Sequence, residues 1–296
     1  MPNRNLQTFS SIESMRQWSR DVRSQGRLGF VPTMGALHAG HGQLIIEAAR
    51  ECEFVAVSIY VNPTQFGPNE DLAKYPRTLQ ADLDLCRQLG VSAVFLPTDE
   101  VMYPNGKDQC TLIEVPRLST IFEGAIRPGH FQGVATVVTK LFGSVQPDIA
   151  YFGRKDYQQW LVIRQMTHDL NLPVALQRVD TVREPDGLAM SSRNRYLNVE
   201  ERKVSLTLSQ ALNDARTALQ SEERSVVALE QIMRDRINSR SELRLDYARI
   251  VNADNLSDIN SVDTSQPESA VALIAARVGT TRLIDNIMLP PKIGTN

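Results

Sequence analysis

Two of the four histidines in the chain, His38 and His41, lie three residues apart in segment 31–41 (VPTMGALHAGH). This segment follows an apolar run and leads into a helical pattern that begins near Gly40. A turn from a strand into a helix directs backbone N–H groups and the positive helix end at one point, which favours a bound phosphate. Gly35 and Gly40 would let the backbone approach that ligand closely. Two imidazoles at a helix start could neutralise charge that develops on a breaking polyphosphate.

Other interpretations of this segment depend on its spacing. Gly35 and Gly40 mimic the glycine spacing of a P-loop, but His41 and Gly42 follow, so the lysine and the magnesium-binding hydroxyl are missing. No G-x-G-x-x-G sequence occurs, which argues against a dinucleotide fingerprint. A zinc-binding histidine pair and a purely structural turn stay open. The residues alone favour a nucleotide site.

Two further segments have the composition of phosphate sites. Residues 153–156 (GRKD) follow a predicted strand and open a predicted helix, so Lys155 could contact a phosphate and Asp156 a ribose hydroxyl. A capping role explains Asp156 equally well. Residues 190–193 (MSSR) place two hydroxyls beside an arginine, which suits triphosphate oxygens. Because serine-rich loops are common, the indication comes from finding three such segments in one chain.

A polar stretch at residues 62–75 (NPTQFGPNEDLAKY) predicts a long loop. Loops of this length are often functional, for example as lids, although an irregular surface connection explains the residues equally well. Gln158 and Gln159 could bond to hydroxyl or carboxylate groups. Of the other two histidines, His168 is expected on a helix surface, and His130 has no assigned role at this stage.

The totals describe an ordinary globular protein and exclude several classes. The 296 residues carry a net charge of −2 and are 42% hydrophobic and 22% charged, so no large cationic surface for nucleic acid is expected. Cys52, Cys86 and Cys110 are odd in number and widely spaced, which argues against a disulfide framework and fits a reducing cytoplasm. Neither a signal peptide nor a membrane span of about 18 apolar residues is recognised.

Alternating strands and helices must position these segments. Apolar runs predict strands at 29–32, 54–61, 93–96, 149–152 and 174–179, and helical patterns occupy 76–89, 131–145 and 155–170. This alternation predicts an α/β fold in which a parallel sheet has helices on both faces. Ligands of such sheets bind beyond the carboxyl ends of the strands. The first two candidate phosphate-binding segments, 31–41 and 153–156, fall at such ends.

The pattern changes after about residue 180, which divides the chain into domains 1–180 and 181–296. Asn198 and Glu201 have the spacing of a capping box and open a long helix. A second helix at about 226–237 and three strand-like runs follow at 245–251, 271–276 and 283–289. The sequence therefore predicts a smaller C-terminal α+β domain.

These motifs together resemble the pantothenate synthetase family, also called pantoate–β-alanine ligases. The resemblance covers most of residues 27–197, touches 280–287 and is weak over 204–270. The similar strings are VPTMGALHAGH, SIYVNPTQFGPNEDLAKYPRTLQAD, FEGAIRPGHFQGVATVVTKLF, QPDIAYFGRKDYQQ, VREPDGLAMSSRNRYL and TTRLIDNI.

The resemblance implies a function, a fold and a set of partners. The family belongs to the His-x-Gly-His nucleotidyl-transfer superfamily and joins pantoate to β-alanine through pantoyl adenylate, releasing AMP and pyrophosphate. It implies a Rossmann-like domain with a smaller domain closing over the active site, ATP and Mg²⁺, and a homodimer. The composition described above predicts a cytoplasmic location and neither nucleic acid nor membrane as partner. The alternatives are a nucleotidyltransferase of the same superfamily and a non-catalytic nucleotide-binding protein.

The resemblance also implies roles for individual residues. His41 and His38, with Lys155, Ser191, Ser192 and Arg193, are expected to act in catalysis, His41 in the proton-donor position. Gln65 is expected to hold pantoate and to help place β-alanine, Gln159 to hold pantoate, and Asp82 to lie beside magnesium. Residues expected to bind ATP are Met34, Gly35, Ala36, Leu37, His38, Ala39, Gly40, His41, Gly153, Arg154, Lys155, Asp156, Val182, Met190, Ser191, Ser192 and Arg193.

Three positions depart from the family pattern. Arg154 stands where a glutamate is usual, Gly42 replaces a larger apolar residue, and Gly143 lies within a predicted helix where asparagine is commoner. A glycine inside a helix costs about 0.5–1 kcal/mol relative to alanine. None of the three departures removes a group expected to act in catalysis.

Overall fold

A computed structural model of the chain describes residues 5–68, 70 and 72–291, so Asn69 and Asp71 of the long polar loop lie outside the described residues. The chain divides into two compact units. Unit 1 runs to Arg154 and includes Gln158–Asp180, and unit 2 combines Lys155–Tyr157 with the chain from Thr181 onward. The boundary drawn from sequence places residues 155–157 in the first domain, whereas the structure groups them with unit 2.

Unit 1 contains a six-stranded sheet in which every pairing is parallel across the described residues. Its strands are β1 (Gln7–Phe9), β2 (Leu28–Thr33), β3 (Phe54–Ile59), β4 (Ala93–Phe95), β5 (Ile149–Gly153) and β6 (Ala175–Val179). Its helices are α1 (Ile12–Arg23), α2 (Ala39–Glu51), α3 (Leu79–Gln88), α4 (Asp99–Met102), α5 (Glu123–Ile126), α6 (His130–Val145) and α7 (Tyr157–Asp169), the last of which begins with a residue of unit 2.

The predicted parallel α/β fold is confirmed, with local differences. Helix α3 begins at Leu79 rather than at Pro76, because Thr78 takes the N-cap position. A 3-10 turn at Arg154–Asp156 precedes α7, where a single helix was expected. Four elements were not predicted from the sequence. The elements β1, α4 and α5 are only three or four residues long, and α1 follows the N-cap Ser11 without a recognisable strand signal before it.

The strand order β1-β4-β3-β2-β5-β6 explains why the central strands carry the site. The chain moves outward from β2 through β3 to β4, then returns to place β5 on the other side of β2. The order in which strands are added therefore reverses between β2 and β5, and open α/β sheets bind ligands at such a topological switch point. The segment that follows β2 contains both histidines of the first motif.

Unit 2 packs two helices and an antiparallel sheet of order β7-β8-β9. Its elements are α8 (Val199–Gln220), α9 (Val226–Asn238), β7 (Leu243–Asn252), β8 (Ala270–Val278) and β9 (Thr281–Leu289). The predicted capping box is confirmed, since Glu201 N–H donates to Asn198 Oδ1 at 2.9 Å and Asn198 N–H donates to Glu201 Oε2 at 3.0 Å. Within the described ranges, no helix combines the length and apolar character needed to cross a membrane.

Candidate active site

The turn between β2 and α2 is held by a buried carboxylate. Asp82, in the first turn of α3, is only 2% exposed. Its Oδ2 accepts the Ala36 N–H at 2.9 Å, and its Oδ1 accepts the Leu37 N–H at 2.8 Å. Thr78 Oγ1 adds a third hydrogen bond to the same carboxylate at 3.0 Å. Asp82 therefore fixes the backbone that leads into the two histidines.

This clamp changes the roles expected for Gly35 and Asp82. Gly35 has φ +79°, and a Cβ there would lie 2.9 Å from Ile59 Cγ2 and 3.0 Å from Asp82 Oδ2. Glycine is needed because the chain itself approaches closely, a reason independent of any ligand. The geometry gives Asp82 a structural task as the clamp of the turn, and its place beside magnesium stays a prediction.

The two histidines form a reciprocal cap at the start of α2. His38 is the N-cap residue, and its Nδ1 accepts the Gly40 N–H at 3.1 Å. Nδ1 of His41 accepts the His38 N–H at 3.3 Å. The ring centroids lie 4.1 Å apart with an interplanar angle of 39°. Histidine here takes the positions that serine and glutamate usually fill in a capping box.

The caps select one tautomer of each ring. A backbone N–H can only donate, so each Nδ1 must present a lone pair. The proton of each neutral imidazole then lies on Nε2, which makes both rings N–H donors at the edge away from the cap. An α2 start with paired donors is suited to phosphate oxygens.

The side chain of Gln65 is held in one orientation by Asn62. Asn62 Oδ1 faces the Thr64 N–H at 3.4 Å, and Asn62 Nδ2 donates to the Gly133 carbonyl at 3.2 Å. Nδ2 also donates to Gln65 Oε1 at 3.2 Å. Gln65 Nε2 points the other way, 3.0 Å from Met34 Sδ. Gln65 therefore presents an amide NH₂ beside Met34, which suits a ligand oxygen that accepts hydrogen bonds.

The backbone of Gln65 is held by a second cluster. His130 Nδ1 donates to the Gln65 carbonyl at 2.8 Å, so its Nε2 accepts from Arg127 Nη1 at 3.0 Å. Arg127 forms a bidentate pair with Glu70, with both distances 2.6 Å. Burial, together with the Arg127 charge, lowers the pKa of His130 to about 4. Burial opposes ionisation of Glu70, but the Arg127 hydrogen bonds and charge bring its pKa below the ordinary value.

Gly153 is the last residue of β5, and Arg154 follows it at the carboxyl end of the sheet, where β2 also ends. Arg154 Nη1 pairs with Asp180 Oδ1 at 3.0 Å, just after β6. Arg154, one of the three departures from the family pattern, therefore links the segment after β5 to the segment after the neighbouring strand β6. Asp180 is 71% exposed in its side chain, and a pair of this kind contributes little stability.

Gln158 and Gln159 lie side by side on α7 but have different surroundings. Gln158 is buried and bonds to the loop before α5: Nε2 donates to the Leu118 carbonyl at 2.7 Å, and Oε1 accepts the Glu123 N–H at 3.1 Å. Gln159 is half-buried. Gln158 therefore supports the fold, which leaves Gln159 as the glutamine suited to a ligand.

Lys155, in unit 2, has a fixed backbone and a half-buried side chain. Asn286 Nδ2 of β9 donates to the Lys155 carbonyl at 2.8 Å. Lys155 Nζ lies 3.5 Å from Asp156 Oδ1, and the side chain of Asp156 is 49% exposed. The lysine thus projects from a backbone that a strand of unit 2 holds in place.

The segment 182–193 of unit 2 forms a small hairpin that ends in the serine pair. Met190 N–H donates to the Val182 carbonyl at 2.9 Å, so that carbonyl already has one partner. Ser191 caps the 3-10 helix Ser192–Tyr196, and its Oγ accepts the Arg193 N–H at 3.3 Å. These bonds order the backbone of the segment. Ser192 and Arg193 are the first two residues of the 3-10 helix.

Sequence reasoning missed several residues of these arrangements. Asp82 was noticed only through the family resemblance, and its task as a clamp depends on α3 packing against the turn. Asn62 lay in the quoted family strings but had no assigned role. Asp285 and Asn286 lay in the TTRLIDNI string, which was the one signal available for them.

Comparisons with known proteins identify the family. The model of the family described as pantoate–β-alanine ligase matches residues 7–288. The chain belongs to this family. A pantothenate synthetase from Syntrophotalea carbinolica is 50% identical over 282 residues, covering 95% of this chain and 98% of the relative. One from Heliobacterium modesticaldum is 50% identical over 285 residues, covering 96% and 99%.

Solved structures of the family have the same fold. Pantothenate synthetase from Thermus thermophilus superposes with a TM-score of 0.88 at 43% identity, over 95% of this chain and 99% of the other. A pantoate–β-alanine ligase from Francisella tularensis, complexed with β,γ-ATP and β-alanine, gives a TM-score of 0.78 at 32% identity, over 96% and 97%. Family membership makes the protein a ligase, and the predicted fold class is confirmed.

Proposed function

We propose that the protein joins pantoate to β-alanine with ATP, through a pantoyl adenylate. The observation that carries the proposal is the reciprocal histidine cap at the start of α2, which presents two imidazole N–H donors at the switch point of the sheet. Family membership over residues 7–288 supports the reaction. ATP is the co-substrate, and pantoate and β-alanine are the two substrates that are joined.

The reaction has two steps, adenylation of pantoate and transfer of the pantoyl group to β-alanine. An oxygen of the pantoate carboxylate attacks the α-phosphorus of ATP, and the bond to the β-phosphate oxygen breaks to release pyrophosphate. The β-alanine amine then attacks the acyl carbon, loses a proton, and AMP leaves. A carboxylate is otherwise a poor acylating agent, since its leaving group would be an oxide, whereas adenylation gives it AMP as leaving group.

The side chains contribute charge and position rather than a covalent intermediate. His38 and His41 donate to phosphate oxygens whose negative charge increases in the transition state. Lys155, Ser192 and Arg193 bind phosphate oxygens as well. Gln65 donates its fixed amide to a pantoate oxygen, and Gln159 binds the same substrate. Holding the reactants in line supplies much of the rate enhancement.

The remaining ATP contacts belong to the backbone of two turns and the hairpin. We assign them to Met34–His41, Gly153–Asp156, Val182 and Met190–Arg193. The 62–75 loop is proposed as a cover, because an acyl adenylate hydrolyses readily in water. Magnesium is proposed to enter with the ATP phosphates, which supply hard oxygen ligands, because the Asp82 carboxylate is already bonded to two backbone amides.

Location and assembly are proposals of the same kind. All three cysteines, Cys52, Cys86 and Cys110, are free thiols, which fits a cytoplasmic protein. A homodimer is proposed from the resemblance to the family. Neither nucleic acid nor membrane is a proposed partner.

Exchange of labelled pyrophosphate into ATP, with β-alanine omitted, tests the first step. Exchange should require pantoate, and the complete reaction should yield AMP and pyrophosphate. ADP as product would end the proposal. A nucleotide-linked end product in the presence of β-alanine would favour the superfamily's nucleotidyltransferases instead.

The variant His41→Asn tests the histidine in the same assay. Asparagine can place its oxygen near the position of Nδ1 and keep the cap, but it removes the Nε2 donor. Turnover should fall by about 10² or more while the unfolding midpoint stays near that of the wild type. His168→Asn, at a side chain that is 85% exposed, is the matched control and should keep full turnover. Normal exchange in His41→Asn would remove this imidazole from the mechanism.

A further inference from the structure

The segment 280–287 (TTRLIDNI) matches the family in sequence, yet none of its residues has a role in the proposed site. It forms most of β9 in unit 2. Two consecutive polar residues in it are buried: Asp285 is 5% exposed and Asn286 is 2% exposed. Buried polar side chains are costly unless bonded, so their partners indicate their task.

Asn286 holds the backbone of Lys155. Its Nδ2 donates to the Lys155 carbonyl at 2.8 Å, across 131 residues of sequence. A carbonyl can only accept, so the bond requires the amide NH₂ that asparagine provides and aspartate lacks. The peptide from which the lysine side chain projects is therefore fixed to β9.

Asp285 holds the hairpin that ends in the serine pair. Its carboxylate forms a bidentate pair with Arg183, at 2.7 Å to Nη1 and 2.9 Å to Nη2. Arg183 also donates to the Gly187 carbonyl at 3.1 Å, within the same hairpin. Oδ1 of Asp285 additionally accepts the Asn286 N–H at 2.8 Å, which fixes the carboxylate itself. Bidentate arginine–carboxylate pairs are strong and geometrically specific.

We propose that Asp285 and Asn286 are positioning residues for the ATP triphosphate. Two neighbouring positions of one strand hold two segments that are distant in sequence, Lys155 and the hairpin before Ser191. The inference rests on the proposed function, in which these segments bind phosphate oxygens. Groups on a fixed backbone lose less conformational freedom when they bind. Loosening either anchor should therefore weaken ATP binding and leave the affinity for pantoate unchanged.

The test compares Asp285→Asn and Asn286→Asp with a matched control on the same strand. Arg282 of β9 donates to Asp246 Oδ2 at 2.7 Å, with side chains 14% and 11% exposed, and this pair lies apart from the bonds that hold Lys155 and the hairpin. Asp246→Asn thus breaks a similar ion pair without a link to either segment. Arg183→Lys, which keeps the charge but loses the two-pronged hydrogen bonding of the guanidinium, is a second variant at the same ion pair.

Two measurements are made on the full-length protein: equilibrium binding of a non-hydrolysable ATP analogue, and KM for ATP and for pantoate in pyrophosphate exchange. The Asp285, Asn286 and Arg183 variants should weaken analogue binding and raise the ATP KM by roughly tenfold, with the pantoate KM within about twofold of wild type. Asp246→Asn should leave both KM values within about twofold, even where its unfolding midpoint falls.

Equal effects of all four variants on ATP binding would show a general structural role and overturn the inference. ATP binding unchanged in the Asp285 and Asn286 variants would overturn it too. Failure of the proposed function has a different signature, since the wild type would then show no pantoate-dependent exchange, whether or not it binds the ATP analogue. Analogue binding by the variants decides the positioning role independently of exchange.

Discussion

At the residue scale, the fixed polarity of backbone groups decides what the side chains of the site can do. Backbone N–H groups occupy Nδ1 of His38 and of His41, which leaves each neutral ring as an Nε2 donor. A backbone carbonyl selects the Nδ1–H form of His130. Backbone groups also orient the side chain of Asn62, and its amide NH₂ in turn fixes Gln65 so that the Gln65 NH₂ faces Met34. Each side chain acquires one chemical role without a bound ligand.

The stability of unit 1 should depend on pH through His130. Its pKa in the folded protein is lowered to about 4, against an ordinary value near 6.5. The unfolded chain therefore binds the proton first as pH falls. Stabilisation by the neutral imidazole is complete above about pH 6.5 and is lost progressively toward pH 4, by as much as roughly 2 kcal/mol for this half-buried group.

Urea unfolding at pH 7 and pH 5 measures this effect in the wild type, His130→Asn and His168→Asn. Tryptophan fluorescence is a suitable signal, because Trp18 and Trp160 both belong to unit 1. His130→Asn should lose less free energy of unfolding between the two pH values than the wild type, while the exposed control should match the wild type. An identical loss in all three proteins would exclude His130 as the source.

At the element scale, helix α6 shows how two glycines in one helix can have opposite requirements. A Cβ on Gly133 would overlap the Thr64 carbonyl and lie 2.7 Å from the Gln65 nitrogen, so α6 can approach the 3-10 turn Pro63–Gln65 only through glycine. A Cβ on Gly143 would have Arg16 Nη2 as its neighbour at 3.9 Å, an ordinary contact. Close approach explains the first glycine, and nothing in the packing requires the second.

Alanine at the two positions should therefore act in opposite directions. Gly143→Ala should raise the free energy of unfolding by about 0.5–1 kcal/mol, since alanine is the better helix former and the site is open. Gly133→Ala should lower it by about 1–3 kcal/mol and raise the KM for pantoate, because the turn that carries Gln65 must shift. Urea unfolding and exchange kinetics measure both. A destabilised Gly143→Ala would contradict the helix argument.

At the scale of the whole molecule, each unit has its own hydrophobic core. One cluster groups buried side chains of α2, β2, β3 and their neighbours in unit 1. Another groups those of α8, α9 and the antiparallel sheet in unit 2, and includes Leu212 and Leu229, both fully buried. Two separate cores within one chain allow the units to differ in stability.

Leu212→Ala should destabilise unit 2 by about 2–5 kcal/mol, because the cavity and the lost apolar burial add. Far-UV circular dichroism includes α8 and α9, whereas both tryptophans report on unit 1. In the variant, part of the dichroism should therefore be lost at lower urea than the fluorescence signal. Val199→Ala, at a 71% exposed position of the same helix, should behave as the wild type. Coincident transitions in Leu212→Ala would contradict the separation.

The sequence by itself determined the alternation of strands and helices, the smaller C-terminal α+β unit and the three candidate phosphate-binding segments. Periodicity and capping are local properties, which is why the Asn198–Glu201 box and the bounds of β8 and β9 could be anticipated to within a few residues. The family resemblance depended on the same local strings.

Only the tertiary structure decided what holds those segments. Asp82 clamps the turn from 46 residues away, His130 reaches the Gln65 backbone across 65 residues, and Asn286 reaches Lys155 across 131. Such pairings depend on which strands become neighbours, and no local spacing encodes them. The chemistry of each side chain is written in its residue type, but its polarity and position are set by backbone groups that folding brings to it.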